Sequence, residues 1–404
     1  MSDLNNARSR RNFLKISSAL LTLLLLGRIL FSFYSDQKKL KKTKKEIQDI
    51  NNENNRTRLL ITMKPTAFVY DPIFLKHTQE GHPEFAGRLV AIMEKLKISG
   101  ILKKLIEIPS KKCSNEDLLL AHTQAHIDNV RHASENNISY LDTDTYVNKF
   151  SYDAALFAVG SLVELTKSVI EEKVANGFAL VRPPGHHAVK TQSMGFCIFS
   201  NVAIAAKLAQ KKFNLKKIAI VDFDVHHGNG TQNIVEDDPD ILFISTHQYP
   251  LYPGTGKIDE IGKGKAKGST INIPLPEGTG DNGFEKIYNQ IIIPSLKRFE
   301  PELILVSAGY DAHWKDPLAG LNLSLEGFAS ISKKLLDIAK ELCKGKIIFS
   351  LEGGYNLDVL SNGVLNSLKI LSAQENIEDS IGKSEKQEPN ISGLIEELKN
   401  IHNI

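Results

Sequence analysis

Six short apolar runs most narrowly limit what this chain can fold into: "TAFVYD", "GFALVRPPG", "KIAIVDFD", "DILFISTH", "ELILVSAGYD" and "KIIFSLEGGY". Each is rich in Val, Ile and Phe and nearly continuous in hydrophobicity, without the alternation of a strand wetted on one face. Strands buried on both faces of a parallel sheet read this way. Helical spacing recurs between them, from Tyr152 to Val174, Val202 to Lys212 and Leu325 to Cys343. The alternation predicts an α/β domain, a three-layer αβα arrangement on a mainly parallel sheet, over about residues 65–375. A chain of 404 residues, 42% of them hydrophobic, has the apolar surface such a core needs.

Nearly every run ends in polar residues or glycine. "LVRPPGHHA" ends in His186-His187, "IVDFDVHHGNG" in Asp222, Asp224, His226 and His227, "FISTH" in Ser245 and His247, "LVSAGYDAH" in Asp311 and His313, and "FSLEGGY" in Tyr355. Ligands of open parallel sheets bind outside the carboxyl ends of the strands, so these tips are expected to build one site. In extended backbone Asp224 and His226 point to the same side. With Asp311 they make two carboxylates and an imidazole, a set suited to Zn²⁺ or Fe²⁺ with positions left open for hydrolysis. His187, after the stiff Pro183-Pro184-Gly185, suits general base and acid work near neutral pH. Gly353-Gly354 permits a tight turn that presents the Tyr355 phenol, a donor to a developing oxyanion. Phe196 and Tyr252 are candidates for the walls of a narrow slot. Taken singly, each feature also fits a plainer reading: a salt-bridged loop, a polar surface pair, a core aromatic.

The basic residues are unevenly spread. Residues 1–60 hold 13 Lys/Arg against 5 Asp/Glu, a balance of +8, which leaves the other 344 at about −5 out of a total of +3. A mildly acidic body speaks against non-specific nucleic-acid binding. Three scattered cysteines make neither a disulfide framework nor a cysteine-rich zinc site. "SRRNFLK" before the apolar run Ile16 to Gly27 resembles a twin-arginine export signal over residues 1–35, which implies a bacterial inner-membrane or periplasmic location. The alternative is a membrane anchor with the body on the cytoplasmic face, since six lysines from Lys38 to Lys45 follow. Residues 36–64 read as a charged linker. Residues 376–404 read as a tail with an amphipathic helix, because Ile391, Leu394, Ile395, Leu398 and Ile401 fall at helical intervals.

Taken together, "RPPGHHA", "GFCIFSNVA", "VDFDVHHGNGTQ", "ISTHQYPLYPGTG", "SAGYDAHWKDPLAG" and "LEGGYN", with "HPEFAGRL", "HTQAHI" and "DTDTYVNKFSYDAA" upstream, resemble the histone deacetylase, acetoin-utilisation and acetylpolyamine amidohydrolase family of the arginase–deacetylase superfamily. "HHGNGTQ" is similar to its class II and bacterial branch. The resemblance implies zinc ligation by Asp224, His226 and Asp311, with His187 as general base and acid beside His186. It implies that Asp222 hydrogen-bonds His186, that Asn229 pairs His187, and that Tyr355 polarises the scissile carbonyl. It implies a substrate channel at Gly195, Phe196, Tyr252 and Leu318, and a buried Cys197 beside the site. A structural potassium ion is implied at Ser245 with carbonyls of Asp222, Asp224, His226 and Thr246.

Three departures carry information. Asn229 stands where one branch has aspartate, and losing that charge is expected to lower the pKa of the His187 imidazole. Leu318 after Asp316-Pro317 lacks the acidic group that would favour cationic polyamines. "HPEFAGRL" departs from the pattern "HPERPxRL" at the entrance loop. The expected function is a zinc-dependent amidohydrolase that releases acetate from acetyl-lysine or related acylated amines. The rivals are an acetylpolyamine amidohydrolase, an arginase-like ureohydrolase needing two manganese ions, and a non-catalytic acyl-lysine binding module.

Overall fold

The computed structural model describes residues 64–404 apart from Asn137 and Glu375. The expected export signal or anchor, and the linker up to residue 63, lie outside the described residues. Among the described residues no helix is long and apolar enough to cross a membrane.

Eight strands form one sheet: β1 (Thr66–Val69), β2 (Ile106–Glu107), β3 (Asn176–Ala179), β4 (Ile218–Asp222), β5 (Ile241–Gln248), β6 (Thr270–Leu275), β7 (Leu303–Ala308) and β8 (Ile347–Leu351). Their order is β2-β1-β3-β8-β7-β4-β5-β6, and every pairing is parallel. The six apolar runs became β1, β3, β4, β5, β7 and β8, all fully buried. The two strands that sequence reading missed are the edges. β2 is two exposed residues, and β6, "TINIPL", follows a Gly/Lys-rich loop and carries a proline. β2 is too short and exposed to make an apolar run, and β6, though buried, interrupts its apolar residues with Thr270, Asn272 and Pro274.

Helices cover both faces of the sheet. Gly87–Ser99, Leu325–Cys343 and Leu357–Leu371 pack on one another, and Ser151–Ile170 packs on Asn201–Phe213. Helix Leu325–Cys343 shows why its sequence folds so. The Ser324 hydroxyl caps it by accepting from Gly327 N at 3.0 Å, and Lys344 ends it in the left-handed region. Phe328, Ile331, Leu335 and Ile338 share its buried stripe. At the C-terminus, helix Ser392–His402 buries Ile395 and Leu398, and Glu388 before it accepts from Asn282 and Gly283 N–H at 3.0 and 2.8 Å.

Register levels the carboxyl ends of the central strands. Asp222 lies opposite Ser245 on one side and Ser307 on the other, and Ser307 lies opposite Ser350. Loops leaving these strands therefore start from one edge, which is where the functional groups gather.

Candidate active site

The loop after β4 carries Asp224 and His226, and the loop after β7 carries Asp311. One donor atom from each lies within 4.8 Å of the others. His226 Nδ1 is 3.2 Å from Asp224 Oδ1 and 3.5 Å from Asp311 Oδ2. Backbone N–H groups aim the carboxylates: Gly353 N donates to Asp224 Oδ2 at 2.8 Å and Val225 N to Asp311 Oδ1 at 3.0 Å. Asp311 Oδ2 is left buried with no hydrogen-bond partner. Two buried carboxylates, one of them with an orphaned oxygen, and an imidazole fit a divalent cation, which would supply the missing partner. Gly353 explains itself here. A Cβ on it would fall 2.0 Å from Asp311 Oδ2 and 2.6 Å from Asp224 Oδ2, so its hydrogen is what admits both carboxylates.

The tandem histidines stand beside this set, their ring centroids 4.0 Å apart. His186 Nδ1 donates to Asp222 Oδ2 at 3.1 Å, and His187 Nδ1 donates to Asn229 Oδ1 at 2.7 Å. Two neighbouring imidazoles are driven apart. Burial disfavours charge on His186, but Asp224 and Asp222 outweigh it and raise its pKa to about 10. Burial, then the His186 and His226 imidazoles, hold His187 well below its ordinary value. Asp224 and the hydrogen bond to Asn229 oppose them, but burial leads.

Tyr355 follows the Gly353-Gly354 turn, with Gly354 at φ +118°. Asp316, itself buried, takes Tyr355 N at 2.7 Å on Oδ2 and Leu318 N at 3.0 Å on Oδ1, so one carboxylate joins the tyrosine to the loop bearing Leu318. Burial raises the phenol's pKa well above its ordinary value and keeps it protonated. Phe196 sits edge-on to Tyr355 at 5.9 Å, and Tyr252 edge-on to His187 at 5.1 Å. Leu318 and Tyr252 are partly exposed at the surface. The turn that presents Phe196 is strained. Gly195 and Phe196 both have positive φ, +55° and +68°, between reciprocal hydrogen bonds of Met194 and Cys197, the geometry of a type I′ turn. Gly195 is needed twice, since a Cβ there would also meet the His187 ring at 2.5 Å and Tyr252 at 2.9 Å.

Sequence reading missed the buried charge network behind the tyrosine. Glu84 accepts from Arg182 through both carboxylate oxygens and from Arg88 Nη1 at 3.1 Å; all three side chains are buried. Arg88 donates onward to Gly354 O at 2.8 Å and Glu352 O at 2.5 Å, and its guanidinium lies 5.1 Å from the Tyr355 ring centroid. The four-residue spacing in "HPEFAGRL" was the available sign, because it puts both charges on one side of a helical turn. Three strand-tip histidines do not join the site. His227 bonds Thr255 Oγ1 and Gln232 Oε1, His247 bonds Ser245 and Gly256 O, and His313 stacks on Trp314. Of the residues expected around potassium, Ser245 lies opposite Asp222, and Thr246 Oγ1 donates to Asp222 O at 3.3 Å. Cys197 is buried and accepts from His187 N at 3.4 Å.

A parallel sheet whose carboxyl edge gathers a buried Asp-His-Asp donor set beside paired imidazoles has the build of an α/β metallohydrolase of the arginase–deacetylase type. The chain matches the histone deacetylase domain model over residues 82–371. It is 43% identical over 320 residues to "Histone deacetylase 14, chloroplastic" of Arabidopsis thaliana, covering 75% of this chain and 76% of that protein. It is 40% identical over 296 residues to a "Probable deacetylase" of Archaeoglobus fulgidus, covering 72% and 82%. The crystal structure of the HDA15 HD domain superposes with a TM-score of 0.77 at 35% identity, covering 84% of this chain and 96% of that one. The chain belongs to the histone deacetylase family.

Proposed function

We propose that the chain is a zinc-dependent deacetylase that hydrolyses acetyl-lysine or related acylated amines to the free amine and acetate. One observation carries the reading: Asp224, His226 and Asp311 converge within bonding reach of one cation, beside two imidazoles whose Nδ1 atoms are held by Asp222 and Asn229. A zinc ion held by these three would polarise the amide carbonyl and acidify water; a ferrous ion would suit the same donors.

The chain's own groups divide the rest. His187 spends its Nδ1–H on Asn229, which leaves Nε2 free to take a proton from the attacking water and later hand it to the leaving amine. His186, held by Asp222 through Nδ1, stands beside His187 at the reacting centre. The Tyr355 hydroxyl donates to the carbonyl oxygen as it gains charge. Phe196 and Tyr252 flank the acyl chain, with Gly195 keeping the gap open, and an uncharged Leu318 at the mouth favours acetyl-lysine-like over polycationic substrates. Ser245 and the carbonyls of Asp222, Asp224, His226 and Thr246 would hold a structural potassium ion. The twin-arginine-like sequence from Arg10 to Lys15 supports delivery to, or anchoring at, a bacterial inner membrane; fractionation of cells expressing the full chain tests this.

The function is tested with purified, zinc-loaded protein against acyl-lysine peptides and acetylpolyamines, with a hydroxamate control. Acetate release that chelation abolishes and zinc restores is expected. Zinc-replete protein inert on every acylated amine would end the reading.

A further inference from the structure

Glu352 is a fully buried carboxylate with no part in the chemistry above. It follows the last residue of β8, where an apolar side chain would suit the neighbouring core. Burying a carboxylate is costly unless its hydrogen bonds are made, so the partners of this one say what it does. Oε2 accepts from Gly185 N at 2.7 Å and His186 N at 3.1 Å, while Oε1 takes a longer bond from Ser307 Oγ at 3.3 Å. Pro183 and Pro184 have no N–H to give. The first two backbone donors after the prolines, Gly185 and His186, therefore both end on Glu352. Its own carbonyl accepts from Arg88, which also grips Gly354 O, and the chain reaches Tyr355 three residues on. Gly353 N, between them, donates to Asp224.

We infer that Glu352 is a positioning residue that sets the tandem histidines against Tyr355 and the Asp224 carboxylate. Its side chain holds the loop of His186 and His187, and its backbone begins the turn of Tyr355, so the proton-transfer group and the oxyanion donor are referenced to one residue. Packing alone would not need a carboxylate oxygen that accepts two N–H groups of that loop. The inference rests on the deacetylase reading.

Turnover per active site is the measurement, for the wild type, Glu352→Gln and Glu352→Leu, each zinc-loaded and counted by titration with a tight-binding hydroxamate. Glutamine keeps an acceptor oxygen for both N–H groups; leucine keeps the bulk and removes it. Glu352→Leu is expected to lose on the order of 10- to 100-fold in kcat, the scale of a 1 Å misplacement, with KM and zinc content near wild type. Glu352→Gln is expected to stay within about threefold of wild type. Three results would overturn the inference: wild-type kcat per titrated site in Glu352→Leu, loss of turnover explained by loss of zinc, or equal losses in both variants. Failure of the deacetylase reading is seen separately, as a wild-type protein that releases no acetate.

Discussion

Adding one methyl group at Gly353 is expected to disable the site without replacing any of its side chains. The new Cβ would stand 2.0 Å from Asp311 Oδ2 and 2.6 Å from Asp224 Oδ2, both on buried carboxylates wedged in a full core. A contact below 3.0 Å is not tolerated, so the Asp311 oxygen or the Gly353 backbone must move by at least about 1 Å. The backbone cannot yield freely, because Gly353 N donates to Asp224 Oδ2 at 2.8 Å and Arg88 holds the carbonyls of Glu352 and Gly354 on either side. The carboxylates yield instead. A displacement of that size costs roughly 100-fold in rate, or about 2.7 kcal/mol of transition-state stabilisation, before any loss of metal is counted. Zinc per chain by elemental analysis and kcat on an acetyl-lysine peptide are the readouts for Gly353→Ala. Gly393→Ala, at a position with no atom within 4 Å of the added group, is the control and should match wild type. Full zinc occupancy together with wild-type kcat in Gly353→Ala would refute the argument from close approach.

Removing the Tyr355 hydroxyl in Tyr355→Phe should lower kcat by about 10²- to 10³-fold with little change in KM, the loss typical of one oxyanion donor; steady-state kinetics decide, and an unchanged kcat removes the assigned role. Asn229→Asp places a charge against His187 Nδ1 and should raise that imidazole's pKa. The base works neutral, so the acid limb of kcat/KM should move to higher pH, and a limb that stays put or moves down contradicts the proton assignment. Glu84→Ala strands two buried guanidiniums and should cost about 3–5 kcal/mol in chemical denaturation; a loss under about 1 kcal/mol would show the network to be dispensable. Burial opposes ionisation of Glu84, but Arg182 and Arg88 prevail and lower its pKa from 4.5 to about 2. Its stabilisation is thus intact above pH 4.5 and lost as pH falls towards about 2, a loss that Glu84→Ala should no longer show.

The sequence by itself determined the sheet's centre and the list of groups at its edge. A strand covered by helices on both sides must be apolar throughout, so β3, β4, β5, β7 and β8 announced themselves, and the titratable groups after them marked the edge that faces solvent. The edge strand β2 is two exposed residues, and β6, though buried, alternates polar with apolar residues, so neither left such a mark. Only the tertiary structure decided which of the groups meet. His226 and His247 both sit at strand tips, yet one faces Asp224 and Asp311 and the other a neighbouring loop. Asp224 two residues earlier marks His226 in the sequence, but its meeting with Asp311 depends on the placement of distant strands. The opposite protonation of His186 and His187, the space that Gly353 leaves for two carboxylates, and the backbone grips of Arg88, Asp316 and Glu352 belong to the same class. Each arises from contacts across long stretches of sequence in a medium from which water is excluded, and there a charge or an ångström counts for far more than it does along the chain.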